Sequence, residues 1–477
     1  MLPSHKTKIV CTIGPASSSP DVMEKMIRAG MNIARLNMSH GTFESHRGVI
    51  RAVRAASRAV GERVAIMADL PGPKVRIGKL AEEPVELEAG ATLVLTTEDI
   101  AGDAGRVSVN FARLPDVVKT GDILFLNDGI IQLEVTSVRG RDVTCRVVVG
   151  GELRSRKGLN LPGIDLGISA FTDRDRECLA FAAAEGIDAV SQSFVQTGAD
   201  ILALRQAADA LGYHPFVIAK IERSIALDHI EEILGVTDGI MIARGDLGQE
   251  VPIEKIAVIQ KELTRQANRR AKPVITATQM LQSMTQNKRP TRAEVTDVSN
   301  AILDGTDCVM LSEESAMGKY PVEAVSMLAR IAAAVEPQRR MVTVKEMYPG
   351  LSAGADLRPS HLVALGVEAS LEYASPAAIF APTHSGATAR RLSVFKPSMW
   401  IVAVSTEEKT RQSLAFSWGV LPVHESDYPD DWKTYAKKWV SANGVEGDIA
   451  VLTEGPSAKH PEANHRMEII ELGAREG

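Results

Sequence analysis

The sequence has little that would connect the protein with a membrane or with nucleic acid. No uninterrupted apolar stretch reaches the roughly 20 residues that a membrane-spanning helix needs, and the first residues lack the apolar core of a signal peptide. The net charge is only −6 and there is no long basic run, so the composition suggests no nucleic-acid partner. We therefore expect a cytoplasmic protein that binds neither a membrane nor nucleic acid.

Cysteine is also scarce. The four cysteines, Cys11, Cys145, Cys178 and Cys308, are scattered without the spacing of a metal site, and each lies in or beside an apolar run. We predict four buried free thiols, which suits a reducing compartment. The 477 residues are 45% hydrophobic, enough for two or three domains with a large core.

Strand and helix patterns alternate through the first 340 residues, with one interruption. Three short apolar strands precede residue 70 and five follow residue 188. Eight such strands with intervening helices predict an α/β fold, a closed (β/α)8 TIM barrel. An open, doubly wound sheet is the alternative, but the first turn, Ile13-Gly14-Pro15, lacks the G-x-G-x-x-G of a dinucleotide site. We prefer the barrel.

The interruption begins at Pro71-Gly72-Pro73, which cannot continue a helix. The following residues are rich in Val, Thr and Gly with period-two alternation, and they contain turn signals such as Asn127-Asp128-Gly129. We predict a small inserted β-barrel domain at 73–164, between two parts of the large barrel at 1–72 and 165–342. After Glu336-Pro337 the pattern changes again, and 343–477 is predicted to be a separate α/β domain.

Charged residues follow two neighbouring strands at the point where each ends. Residues 216–219 run into Lys220 and Glu222, and residues 240–243 run into Gly245-Asp246, with an amphipathic helix predicted at 225–234 between them. Strands joined by a helix are parallel, so their carboxyl ends share one rim. Two carboxylates beside a lysine suit a divalent cation that holds a phosphorylated or carboxylated substrate. Alternatively these charges only solvate the strand ends and pair with one another, but polar residues recur at other strand ends and favour a site.

Six motifs carry a resemblance to a known family. They are KTKIVCTIGPAS at 6–17, ARLNMSHG at 34–41, IAKIE at 218–222, ARGDLG at 243–248, TATQMLQSM at 276–284 and LSEESAMGKYPVEAV at 311–325. In this order the chain resembles the pyruvate kinase family over almost its whole length. The resemblance implies a barrel, a lid-like inserted domain, a regulatory C-terminal domain and a homotetramer. It also implies phosphoryl transfer from phosphoenolpyruvate to ADP, which gives pyruvate and ATP.

The resemblance assigns roles by position. Glu222 and Asp246 would hold Mg²⁺ or Mn²⁺, and Lys220 would neutralise the phosphoryl group in transfer. Thr278 would orient a water that delivers a proton to the enolate, because a threonine alone is a poor acid. The backbone N–H groups of Gly245 and Asp246 would bind the substrate carboxylate, and Arg35 and Arg76 would clamp phosphates. The nucleotide would lie against Arg35, Asn37, His40 and Arg76.

The family's monovalent-cation site is matched by Asn37, Ser39, Asp69 and the carbonyl of Leu70. Many members read DTKGPE where this chain reads DLPGPK at 69–74, so Lys74 replaces the glutamate that marks K⁺-dependent enzymes. The Lys74 ammonium would repel a second cation, so we predict activity that does not require K⁺. A lysine exposed in the hinge is the other interpretation.

One turn of the C-terminal domain is a candidate phosphate site for an allosteric effector. Its residues are Thr383, His384, Ser385, Gly386, Ala387 and Thr388. The turn opens a helix, where hydroxyls and backbone N–H groups can hold a phosphate, although an ordinary helix cap is an equally good interpretation. Two other functions stay open at this point. One is a catalytically silent paralogue that senses sugar phosphates, and the other is a barrel enzyme like the phosphoenolpyruvate mutases and aldolases.

Overall fold

The computed structural model describes residues 2–127, 129–349, 357–456 and 462–473. The chain begins with strands and helices in alternation: β1 (Lys8–Thr12), α1 (Pro20–Ala29), β2 (Ile33–Asn37), α2 (Phe43–Val60) and β3 (Ala65–Leu70). The side chain of Ser19 caps α1 by accepting from the backbone N–H of Val22, and Gly30, with φ 121°, ends that helix. Thr42 caps α2, and Gly61, in the left-handed conformation, ends it.

The inserted region follows β3. Its elements are β4 (Val85–Leu87), β5 (Thr92–Thr96), β6 (Arg106–Ser108), α3 (Leu114–Val117), β7 (Ile123–Leu126), β8 (Ile131–Arg139), β9 (Asp142–Val149), β10 (Gly151–Leu153) and β11 (Leu159–Asn160). Six of the described strands form one sheet in the order β11-β7-β8-β9-β5-β6, and single bridges from Arg76 to Gly158 and from Ile77 to Val109 join its two edges. The pairing is antiparallel except between β5 and β6. The predicted turn at residues 127–129 includes residue 128, which lies outside the described residues.

The alternation then resumes. The elements are α4 (Asp173–Ala184), β12 (Ala189–Gln192), α5 (Gly198–Ala210), β13 (Phe216–Ile221), α6 (Ile225–Asp228), α7 (Ile230–Val236), β14 (Gly239–Ala243), α8 (Arg244–Glu250), α9 (Ile256–Arg269), β15 (Val274–Ala277), α10 (Arg292–Asp304), β16 (Cys308–Leu311), α11 (Glu313–Ala316) and α12 (Pro321–Val335). Eight strands of the described chain, all paired in parallel, close the predicted barrel in the order β1-β16-β15-β14-β13-β12-β3-β2.

One local prediction in this part is wrong. The single helix predicted at 225–234 is divided at His229, whose backbone (φ −106°, ψ 13°) leaves the helical region between α6 and α7. The charged residues that follow β14 begin the short helix α8. Asp246 therefore lies in the first turn of a helix, where a carboxylate interacts favourably with the helix dipole.

The C-terminal region has its own sheet. Its elements are α13 (Val344–Met347), α14 (Pro359–Leu371), β17 (Ala378–Phe380), α15 (Ala387–Ser393), β18 (Trp400–Ser405), α16 (Glu408–Ser413), β19 (Val420–His424), α17 (Trp432–Asn443), β20 (Ile449–Glu454) and β21 (Arg466–Glu471). The described strands pair in the order β19-β18-β17-β20-β21. The last strand, antiparallel to β20, was not predicted, because it alternates weakly and is mostly exposed.

The barrel interior is filled from both the strands and the C-terminal region. Apolar side chains such as Val10, Met67, Met241 and Met310 point into one cluster, and Phe416 of the C-terminal region joins it. The Phe416 ring stacks on Phe216 with centroids 5.0 Å apart. Since Phe216 begins β13, the C-terminal region closes the amino-terminal end of the barrel and leaves the opposite rim open for a site.

The remaining expectations concern thiols and membranes. All four cysteines are free and buried, as predicted. Among the described residues, no helix combines the length and the apolar character needed to cross a bilayer.

Candidate active site

Strand register brings the predicted charges to the carboxyl-terminal rim of the barrel. In the parallel pair of β13 and β14, Lys220 lies beside Met241 and Ile221 beside Ile242. Glu222 thus follows directly after the strand, while Asp246 lies in the first turn of α8. Lys220 and Glu222 are two residues apart on an extended chain, so their side chains project to the same side. The Lys220 ammonium lies 2.9 Å from Glu222 Oε1.

Lys220 is buried among oxygens. Its Nζ donates to Ser193 Oγ at 2.7 Å and lies 3.3 Å from Asp69 Oδ1. Burial by itself lowers the pKa of this ammonium, but the carboxylates of Asp69 and Glu222 outweigh burial and hold the pKa above its ordinary value. Lys220 is therefore a fixed positive charge at the rim at any physiological pH.

Glu222 and Asp246 have the chemistry of a divalent-cation site. Glu222 is 2% exposed, and burial raises its pKa, with the nearby charge of Asp246 adding to the effect of burial. Its Oε2 accepts from the backbone N–H of Phe194 at 2.7 Å. Since both burial and the charge of Asp246 disfavour the charged form of Glu222, a cation between the two carboxylates would be favourable, and these residues fit Mg²⁺ or Mn²⁺. Within the described parts of the chain, no group of three or more His, Cys, Asp or Glu side chains is arranged to hold a metal. Substrate and water oxygens would have to complete the coordination.

Arg35 is held rigidly in place. Its Nε donates to Asp69 Oδ2 at 2.9 Å and its Nη1 to Thr12 Oγ1 at 2.8 Å. Burial raises the pKa of Asp69, but Lys220 and Arg35 more than offset that effect and hold the pKa below its ordinary value. Asp69 also accepts from Ser191 Oγ at 2.7 Å. The carboxylate predicted as a monovalent-cation ligand is thus the counter-ion that joins the two cations of the site.

Thr278 lies against the start of α8. Its Oγ1 accepts from the backbone N–H of Gly245 at 2.9 Å and donates to the Ala277 carbonyl at 2.6 Å. Its backbone has φ 71°, a left-handed conformation that costs a β-branched residue energy and is concentrated at functional sites. The Gly245 N–H expected to bind a substrate carboxylate is therefore already bonded to Thr278, and a substrate would have to share or replace that bond.

Lys74 reaches the rim from the inserted region. Its Nζ lies 3.3 Å from Asp246 Oδ1 and 5.9 Å from the centroid of the Phe194 ring. The side chain is 29% exposed, so it is neither free in solvent nor fully buried. The structure thus brings Lys74 to a predicted divalent-cation ligand.

The other residues predicted for the monovalent site are already engaged. Asn37 Oδ1 accepts from the Ser39 N–H at 3.1 Å, and the Leu70 carbonyl accepts from Ser193 Oγ at 2.7 Å. Ser39 is exposed. Their oxygens therefore satisfy protein donors at present, and Asp69 has two cations beside it.

The predicted nucleotide residues are less closely grouped. His40 is exposed, and its carbonyl accepts from His46 Nε2 at 2.8 Å. Arg76 belongs to the inserted region, where its Nη1 donates to the Arg156 carbonyl at 3.1 Å. Arg76 can act at the rim only if the inserted region lies over it.

The predicted effector turn of the C-terminal region precedes α15. The Gly386 N–H donates to Thr383 Oγ1 at 2.9 Å, and Arg390 Nη2 donates to the Ser385 carbonyl at 2.7 Å. His384 is exposed, with its ring 3.8 Å from Glu407 Oε1. Ala387 and Thr388 are the first two residues of α15. The Thr383 hydroxyl thus serves as a cap within the turn, and an arginine lies beside it.

The chain is similar to known proteins over almost its whole length. Residues 4–325 match the family model described as pyruvate kinase, barrel domain, and residues 362–470 match the model described as pyruvate kinase, alpha/beta domain. The chain belongs to the pyruvate kinase family. A pyruvate kinase of Thermococcus litoralis is 46% identical over 478 residues, with 99% of each chain covered.

Other members of the pyruvate kinase family are similarly close. A pyruvate kinase of Staphylococcus aureus strain MRSA252 is 41% identical over 98% of this chain and 81% of its own length. A crystal structure of a pyruvate kinase from Cryptosporidium parvum superposes with a TM-score of 0.91 and 34% identity, covering 98% of this chain and 97% of that one. The chain has the pyruvate kinase activity of its relatives, a phosphotransfer whose substrates are phosphoenolpyruvate and ADP. The comparisons favour this function over the silent-paralogue and mutase or aldolase alternatives.

Sequence reasoning missed several residues of the rim. Arg223 and Glu250 form a buried pair with a distance of 3.2 Å, and Phe194 bonds Glu222. Arg223 could have been suspected, because it directly follows Glu222 at a strand end. Glu250 gives no such signal, because only the folding of α8 brings it there.

Proposed function

We propose that the rim of Lys220, Glu222, Asp246, Arg35 and Thr278 performs the phosphoryl transfer from phosphoenolpyruvate to ADP. The observation that carries this assignment is the buried contact of Lys220 with Glu222 and Asp69, beside Asp246. A phosphoryl group passing from one oxygen to another needs little covalent help and is accelerated mainly by positioning and by fixed charge.

Each side chain has a role that follows from its surroundings. Lys220, with a raised pKa, stays protonated and offers a fixed N–H donor to the phosphoryl oxygens. Arg35 keeps its orientation because Asp69 and Thr12 hold its guanidinium, so its fork can meet a phosphate without reorganisation. Thr278 positions the first turn of α8 and can orient a water for the proton that the enolate accepts.

Glu222 and Asp246 would hold a divalent cation, Mg²⁺ or Mn²⁺. Such an ion supplies Lewis-acid stabilisation of substrate carboxylate and phosphate oxygens when it is bound. Lys74 brings a further positive charge to Asp246, and for this reason activity without K⁺ is proposed. A cytoplasmic homotetramer and an effector phosphate at residues 383–388, near Arg390, complete the proposal.

The metal assignment is tested by binding Mn²⁺ alone and measuring free Mn²⁺ by electron paramagnetic resonance. Glu222→Gln should weaken Mn²⁺ binding by about tenfold or more, because even outer-shell changes cost 10- to 100-fold. Glu314→Gln is the matched control. Its carboxylate is also buried just after a barrel strand, β16, which is adjacent to neither β13 nor β14, and it accepts from the backbone N–H groups of Leu281 and Ser312.

The activity itself is tested by coupling to lactate dehydrogenase and NADH with and without ADP. Pyruvate should form only when phosphoenolpyruvate, ADP and a divalent cation are all present. Pyruvate release without ADP would contradict the transfer, and equal Mn²⁺ affinities of the two glutamate variants would contradict the metal assignment.

A further inference from the structure

The inserted region is joined to the barrel by two chain crossings, and a single residue separates each of them from Glu222. The first crossing contains Gly72, whose N–H donates to Asp175 Oδ1 at 2.9 Å. A Cβ at Gly72 would lie 2.9 Å from Phe194 Cδ2, so the Phe194 ring is in direct contact with this crossing. Phe194 in turn donates its N–H to Glu222 Oε2. The first crossing is thus one residue away from a predicted metal ligand.

The second crossing is held by Arg223. Its Nη2 donates to the Ile164 carbonyl at 2.7 Å and to the Leu161 carbonyl at 3.3 Å. Its Nε faces Glu250 Oε2 at 3.2 Å, and both residues are buried, Arg223 to 5% exposed and Glu250 to 7%. Arg223 is next in the chain to Glu222, and Glu250 ends the helix that begins beside Asp246. One ion pair therefore connects the second crossing to the chain segments of both predicted metal ligands.

This arrangement is a costly way to stabilise a fold. Glu250 Oε1 and Arg223 Nε are both buried without a hydrogen-bond partner among the described residues. The two side chains line a small recess between the two crossings, together with Lys74, Val75, Leu166 and Phe194. Burying an ion pair with polar atoms unsatisfied contributes little to stability, whereas it does fix geometry.

We propose that Arg223, held by Glu250, is a positioning residue that sets the orientation of the inserted region over the phosphoryl-transfer site. The inference rests on the proposed function of the rim. The planar guanidinium can reach two carbonyls and a carboxylate at once, which a lysine cannot do. Arg76, the predicted phosphate clamp of the inserted region, reaches the nucleotide only when this orientation is kept.

The test is Arg223→Lys, which keeps the charge opposite Glu250 and gives up the bonds to Leu161 and Ile164. Amide hydrogen exchange of residues 159–166 in the metal-free protein should accelerate by about tenfold, since hydrogen bonds from a charged donor are being lost. The value of kcat/KM for ADP should fall about tenfold. Mn²⁺ affinity should stay within about twofold, because Glu222 and Asp246 are unchanged.

Arg205→Lys is the matched control. Arg205 also joins a carboxylate to a carbonyl, with Nη2 2.8 Å from Asp238 Oδ2 and Nε 2.8 Å from the Val236 carbonyl, but it lies at the opposite end of β14. It should change neither the exchange of residues 159–166 nor kcat/KM for ADP. If Arg223→Lys does not fold, Arg223→Met with Glu250→Met removes both charges together and should give the same two changes.

Unchanged exchange at residues 159–166, equal acceleration in Arg205→Lys, or faster exchange with normal kcat/KM for ADP would each overturn the proposal. The exchange measurement needs no catalysis. A failure of the phosphoryl-transfer assignment would leave the exchange result intact, so the two failures are distinguishable.

Discussion

The two ends of the barrel each bury a lysine beside an aspartate, and the two lysines differ in charge behaviour. At the carboxyl-terminal rim, Lys220 has two carboxylates near it, and its pKa lies above the ordinary value. At the amino-terminal end, Lys396 lies 2.7 Å from Asp307, and burial, only partly offset by Asp307, lowers its pKa to about 8.

The difference lies in how many opposite charges compensate burial. Lys396 has one carboxylate and the repelling Arg339 nearby, while Lys8, 2.8 Å from the Val420 carbonyl, also has its pKa lowered to about 8 by burial. These lysines join the C-terminal region to the barrel. Lys220 is surrounded by enough negative charge to remain a cation, which a phosphoryl-transfer site requires.

The largest expected effect separates the two lysines by function. Lys220→Met should lower kcat by about 10³, because it removes the fixed charge that meets the phosphoryl group. Lys396→Met should leave kcat of the folded protein close to that of the wild type, because Lys396 lies at the opposite end of the barrel from the rim. In this variant Asp307 still accepts hydrogen bonds from the backbone N–H groups of Trp418 and Val274. The measurement is kcat of both variants and of the wild type, from steady-state kinetics at saturating substrate. Comparable losses in both variants would mean that Lys220 is only structural.

A second change sharpens the difference at the rim. Lys74→Glu should make the enzyme dependent on K⁺, with activity in tetramethylammonium buffer reduced by at least about tenfold and restored by KCl, since a carboxylate beside Asp246 needs a cation. The wild type should respond little to KCl. Lys79→Glu makes the same charge change at an exposed position of the inserted region and should not create a K⁺ requirement. Strong activation of the wild type by KCl would contradict the role of Lys74.

The smallest effect concerns pH and the amino-terminal end. Because the folded-state pKa of Lys396 is about 8, the unfolded chain binds more protons between pH 8 and pH 10, and this group makes the free energy of unfolding rise with pH. Urea denaturation gives the free energy of unfolding of each protein, and the value for the wild type minus that for Lys396→Met should increase in that interval. The increase corresponds to at most about a tenfold change in the unfolding constant per pH unit. Below pH 8 the difference should stay constant. A difference that does not change between pH 8 and pH 10 would contradict the lowered pKa.

Much of the architecture could be predicted because it depends on local patterns. Ser19 and Gly30 bound α1 through their own capping bonds, and the apolar runs at 274–277 and 308–311 form the strands β15 and β16. The break at His229 and the weakly alternating β21 could not be predicted, because no local signal opposes helix at one or favours strand at the other.

The site was predicted in part for the same reason. Lys220 and Glu222 lie on one strand, so period-two geometry fixes their common side. Asp69 was assigned to a monovalent cation, yet it is engaged by Arg35 of β2, Ser191 of β12 and Lys220 of β13. To predict those contacts, one must know which strands are neighbours in the barrel.

By itself, the sequence determined that strands and helices alternate along the chain, with an inserted and an appended unit, and that a lysine and carboxylates stand at strand ends. Hydrophobic period and capping chemistry act over a few residues, so they can be interpreted without coordinates. Only the tertiary structure decided which charges compensate one another, because burial and electrostatic energy depend on distances between residues far apart in the chain. The pairing of Lys74 with Asp246 and of Arg223 with Glu250 belongs to that second class.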